Sequence, residues 1–89
     1  MTAGWIEFKY FRWQTMFVND MNDASLRSCA MPKKEICPTV VVIPKNSEVR
    51  VSQELKFYIQ SDGKRATWRN VKYMSQQGWV NETLLRDNK

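Results

Sequence analysis

The stretch from Trp68 to Leu85 restricts the fold more than any other part of the chain. Trp68, Val71 and Tyr73 lie in the run Trp-Arg-Asn-Val-Lys-Tyr, and Gly78-Trp79-Val80 and Leu84-Leu85 follow closely. Aromatic and β-branched side chains favour a pleated, half-buried surface, and Ser75-Gln76-Gln77-Gly78 between the two runs reads as a chain reversal. The pattern predicts the last strands of a small, sharply bent sheet with indoles and valines inside. The step from Trp68 to Val71 breaks strict alternation, which predicts a β-bulge near Arg69-Asn70. Trp79 and Val80 are assigned to the core, and Gly78 to the turn.

The preceding residues continue the β pattern. Pro38-Thr39-Val40-Val41-Val42-Ile43 is a β-branched run bounded by prolines, as in a strand buried on both faces or at a barrel corner. Lys45-Asn46-Ser47 turns the chain, and Asn46 can take the positive φ that such a turn uses. Glu48 to Ser52 alternates, with Val49 and Val51 inward. Leu55, Phe57 and Ile59 repeat the period of two before Ser61-Asp62-Gly63-Lys64, whose Asp-Gly is a hairpin signal. Thr15 to Asn19 reads as the first barrel strand and Ser25 to Ser28 as a short one. Asn19-Asp20-Met21-Asn22-Asp23 is a turn: its acids lack the twelve-residue spacing, glycine and terminal glutamate of a calcium loop. Asn81 to Leu85 reads as a short helical turn. With 43% hydrophobic and 12% aromatic residues the chain has material for a packed core, and at 89 residues it forms one small domain.

Six of the eleven aromatics, Trp5, Phe8, Tyr10, Phe11, Trp13 and Phe17, fall near the N-terminus. Read with a period of two, Ile6, Phe8 and Tyr10 face one way and Glu7, Lys9 and Phe11 the other. A helix with Ile6, Tyr10 and Trp13 on one face matches nearly as well, but the aromatic enrichment favours a strand. Such a segment either covers an open end of the barrel or docks onto a partner through Trp5, Phe8, Phe11 and Trp13.

Cys29 and Cys37 are the only cysteines. Eight residues apart, they can close a loop as a disulfide or remain two buried thiols. A bridge would stabilise by about 2 to 3 kcal/mol and would place the protein outside the cytoplasm, in a periplasm or at a cell surface. Zinc wants four ligands, and with no histidine and no further cysteine no metal is expected, nor any other cofactor. Glu7, Lys9 and Arg12 interrupt the N-terminal apolar stretch, so neither a secretory leader nor a transmembrane segment is expected.

The absence of histidine also removes the usual base for a serine or cysteine nucleophile, and nothing marks out a working pair among the nine acids, so no enzyme is expected. A net charge of +5 draws nucleic acid, anionic lipid or acidic protein surfaces without choosing among them. Lys64, Arg65, Arg69 and Lys72 form the densest basic stretch.

The closing run resembles the bacterial SH3 (SH3b) family, whose last segment reads W-x-x-V-x-Y, a short turn, then G-W-V and a terminal leucine. Ala24-Ser25-Leu26-Arg27-Ser28 resembles the family's opening piece, shortened. Ile43-Pro44-Lys45-Asn46-Ser47-Glu48-Val49-Arg50-Val51 resembles its turn and central strand, with Asn46 where glycine is usual. The pieces occur in the family's order, although the connection from Val51 to Trp68 is longer than is typical. The resemblance implies an all-β, SH3-like barrel of five to six strands over residues 16–85, with an added aromatic segment at 1–15 and a tail at 86–89.

It also implies a noncatalytic module that binds a peptide or protein partner, peptidoglycan stem peptides among them. Tyr58 and Trp68, with Lys64 and Arg65 beside the enlarged hairpin, are the expected ligand contacts. Two other readings stand beside it: a small basic barrel that binds single-stranded nucleic acid, and a structural or inhibitory protein that docks through its N-terminal aromatics. The oligomeric state is left open.

Overall fold

The structure, a computed structural model, describes residues 13–33 and 35–87. The chain forms β1 (Trp13–Val18), β2 (Ala24–Arg27), β3 (Thr39–Ile43), β4 (Glu48–Ile59), β5 (Arg65–Tyr73), β6 (Gln76–Asn81), a 3-10 turn (Glu82–Leu84) and β7 (Leu85–Arg86). They make one seven-stranded sheet in the order β3-β2-β6-β5-β4-β1-β7, and every pairing is antiparallel. The sheet curls into a half-barrel. The expected all-β, barrel-like architecture is present; the two-residue β7 takes the count one past the expected five to six strands.

Alternation decides which side chains enter the core. Met16 and Val18 from β1, Ala24 and Leu26 from β2, Ile43 from β3, Val49 and Val51 from β4, Val71 from β5 and Val80 from β6 meet on the inner face. Val41, Tyr73, Leu84 and Leu85 pack around them. A second cluster lies on the opposite face of the same sheet, where Trp68, Trp79 and Ala66 are buried with Ala30 and Tyr58 against them. The three-residue step from Trp68 to Val71 therefore has a different origin from the one expected. Strand β5 is regular, and Trp68 and Val71 belong to opposite faces. The irregularity lies on the partner strand: Val51 pairs with Val71 and Leu55 with Arg69, so Ser52, Gln53 and Glu54 oppose Asn70 alone.

Three further expectations are corrected. Strand β3 is an edge, with Val40 and Val42 exposed and only β2 beside it; its flanking prolines suit a strand that stops short at a sheet margin. The β5–β6 reversal is made by Met74 and Ser75, Met74 taking φ 56°. Gly78 sits inside β6, where a Cβ would run into the carbonyl oxygen of Arg27 and lie 3.1 Å from Leu26 Cγ. Glycine is needed there so that β2 and β6 can approach.

The other turns follow local chemistry. Asn46 takes φ 67°, and its side-chain oxygen accepts from Arg86 Nη2 at 2.9 Å. Gly63 takes φ 85° at the hairpin tip, where the Lys64 N–H donates to Asp62 Oδ1 at 2.9 Å. The 3-10 turn is capped by Asn81, whose Oδ1 accepts from the Thr83 N–H at 3.0 Å.

Candidate functional site

Past the bulge, β4 and β5 run on together as an arm; β6 still lies beside β5 at Arg69 and Trp68, and from the Phe57–Thr67 pair to the turn the arm is two-stranded among the described residues. At a strand rise of ~3.4 Å per residue, the two-stranded part from Phe57 to Ile59 adds about 10 Å of reach, against a longest molecular dimension of 46 Å. Leu55 pairs with Arg69, Phe57 with Thr67 and Ile59 with Arg65, so these six side chains share the inner-face side of the arm. Lys56 opposite Trp68, and Tyr58 opposite Ala66, occupy the other side. Arg69 closes the end of the main core between barrel and arm. Its Nη1 donates to Glu82 Oε2 at 3.0 Å and its Nη2 to the Ser52 carbonyl at 3.1 Å.

Cys29 and Cys37 are bridged, with their Cα atoms 5.1 Å apart. The loop they close is also held by its backbone: the Ser28 N–H donates to the Pro38 carbonyl at 3.1 Å and the Cys37 N–H to the Lys33 carbonyl at 2.7 Å. Arg27 Nη1 reaches the Cys37 carbonyl at 3.2 Å. The loop lies over the tryptophan cluster through Ala30. Between it and the hairpin tip runs an open groove of about 530 Å³, lined by Pro32 and Lys33 on one side and Tyr58, Ile59, Gln60, Ser61 and Asp62 on the other. A volume of this order is enough for a small ligand or a short peptide stretch. A smaller cleft of about 210 Å³ opens where β2 and β6 diverge, and Arg27, Ser25, Pro32, Trp68 and Asn81 are among its walls.

The four expected ligand contacts are not brought to one place. Tyr58 lines the groove. Trp68 is buried beneath the same face and contributes to the smaller cleft; its Nε1 has no hydrogen-bond partner among the described residues. Arg65 lies on the opposite side of the arm, its guanidinium 4.3 Å from the centroid of the Phe57 ring. Lys64 stands exposed beside the turn between them. Of the N-terminal aromatics named as a docking surface, Trp5, Phe8 and Phe11 lie outside the described residues. Trp13 is the first residue of β1, opposite Ser52, with Lys72 Nζ 4.6 Å from its ring centroid.

Pro32, Lys33 and Gln60 were missed as groove residues. The one signal available was the cysteine pair, which requires the loop between its members to double back, but the spacing says nothing about the surface that loop lies on. Among the described residues, no three metal-ligating side chains cluster, and no helix is long and apolar enough to cross a membrane. No protein-family model, curated protein or solved structure matches the chain.

Proposed function

We propose that the chain is a noncatalytic binding module that takes a peptide segment of a partner into the groove between the hairpin arm and the disulfide-closed loop. The observation that carries this reading is the pairing of an amphipathic aromatic wall, Tyr58, with Pro32 and a polar rim of Lys33, Gln60, Ser61 and Asp62. An extended peptide presents alternating side chains and free amides, which such a groove serves with one apolar contact and several hydrogen-bonding groups. Among the described residues Asp62 is the only carboxylate lining it, a poor basis for paired acid–base chemistry. The SH3b-like order of the sequence supports peptidoglycan stem peptides as the first ligands to try, and the Cys29–Cys37 bridge supports an extracytoplasmic setting.

Titration of the ¹⁵N-labelled protein with soluble stem peptides tests this. The shifted amides should map to Pro32's neighbours and to Tyr58–Asp62. Tyr58→Ala should weaken binding about tenfold or more, in keeping with loss of an aromatic anchor, while thermal melting shows the domain still folded. Shifts confined to another face, or unchanged affinity in folded Tyr58→Ala, would reject the groove.

A further inference from the structure

The inner-face side of the arm presents an apolar stripe that is exposed among the described residues. Leu55 is 43% exposed, Phe57 53% and Ile59 61%. Among the described residues, β4 from Gln53 onward has β5 along one edge and no strand along the other. Long edge strands with apolar side chains are prone to unwanted pairing and are normally covered, charged or interrupted. This one is continuous from Leu55 to Ile59, and Lys56 is its one charged residue.

The chain supplies an occupant at the right position. Strand β1 pairs antiparallel with β4 along the same edge, and its first residue, Trp13, stands opposite Ser52, where the uncovered stretch begins. Strand β1 thus enters along that edge in the antiparallel sense, with Trp13 at its start. A continuation of the chain in the same register would put Tyr10 opposite Leu55, Phe8 opposite Phe57 and Ile6 opposite Ile59. The faces agree as well. On β1 the even-numbered Met16 and Val18 point to the inner face, and Ile6, Phe8 and Tyr10 are in step with them. The bulge can shift these pairs by two, to Tyr10 opposite Phe57 and Phe8 opposite Ile59, without exchanging the faces. It adds two residues to β4 relative to its neighbour, so a strand that bypasses it slides by two and keeps the same side chains on the same face.

We propose that the exposed edge of the arm is a docking surface for this chain's own N-terminal segment, residues 6–12. That segment extends β1 along β4 and lays Ile6, Phe8 and Tyr10 over Leu55, Phe57 and Ile59. The aromatic N-terminus is then the third strand of the arm rather than a surface for a foreign partner, and the arm becomes a three-stranded sheet, a size at which strands with an apolar face hold together. The groove beside Tyr58 lies on the other side of the arm and is left open.

Hydrogen–deuterium exchange on the full chain, read residue by residue by NMR, tests the assignment. In the wild-type protein the Gln53–Ile59 amides that point away from β5 should exchange at least about tenfold slower than exposed turn amides. Cross-peaks should link the Phe57 ring to Phe8 or Tyr10. The double variant Phe8→Glu/Tyr10→Glu should lose that protection while amides bonded between β4 and β5 keep theirs, and Lys9→Gln, on the opposite face, should leave protection intact. Fast exchange along the free edge in the wild-type protein, or no contact from Phe57 to residues 6–10, overturns the proposal. So does protection that vanishes on dilution, which would make a second copy's segment the occupant.

Discussion

Gly78 is the residue whose replacement should be felt most for its size. Its neighbour across the sheet is the backbone of Arg27, which cannot move aside as a flexible side chain would, so one added methyl must push β2 away from β6. Gly78→Ala should lower stability by about 1 to 3 kcal/mol, the usual cost of overpacking a tight site, measured as a reduced urea midpoint with an unchanged slope. A midpoint equal to wild type would mean that β2 and β6 are not held at this distance. The contrast with Asn46 and Gly63 shows what a sequence discloses at this scale. Both take positive φ in turns, a demand set by their immediate neighbours, and both were legible. Gly78 is misread as a turn residue, and Trp68, buried as expected, is set on the wrong face, because their surroundings come from residues far along the chain: β2 for the first, the disulfide loop for the second.

Among the elements, the loop from Cys29 to Cys37 forms one wall of the groove and a lid on the tryptophan cluster. Replacing both cysteines with serine should destabilise the domain by about 2 to 3 kcal/mol through the entropy regained by the open chain. It should also make Trp68 and Trp79 more accessible to iodide, read as increased fluorescence quenching. Unaltered melting and quenching would show that the backbone bonds at Ser28 and Cys37 hold the loop unaided. The strands themselves were largely legible from period-two alternation and turn residues. Two features were not. A run of valines reads the same in a buried strand and in an edge such as β3, since only the neighbours differ. A shared core for Trp68 and Val71 puts the bulge on β5, whereas the two extra residues lie within Ser52–Glu54 of β4.

At the scale of the whole molecule, the charge of +5 is spread over both sides of the sheet. Lys56 stands 5.0 Å from the Trp79 ring centroid, Lys72 stands 4.6 Å from that of Trp13, and Arg65 lies over Phe57 on the far side of the arm. This arrangement favours a groove ligand over a polyanion. Affinity for a peptide should change less than about threefold between ~50 and ~200 mM salt, whereas a nucleic acid neutralised at several phosphates would lose orders of magnitude. A steep loss in isothermal titrations at the two salt concentrations would turn the assignment toward nucleic acid. The barrel-like body was legible because the alternating pattern and the core it implies are written locally. The arm was visible only as an unusually long interval between Val51 and Trp68. Whether a hairpin folds into a barrel or projects from it depends on which strand lies beside it, and no local pattern carries that.

The junction at Arg69 makes the projecting part a separable module. The guanidinium ties Glu82 and the Ser52 carbonyl together at the point where the main core ends, so exposed residues at the hairpin tip can vary without disturbing the valines behind it or the Trp68–Trp79 cluster. Inserting matched pairs of amino acids near Ser61 and Asp62 would lengthen the lever by roughly 7 Å for every two residues added to each strand. Evolution or an engineer could thus adjust how far the hairpin reaches while leaving the foundation alone.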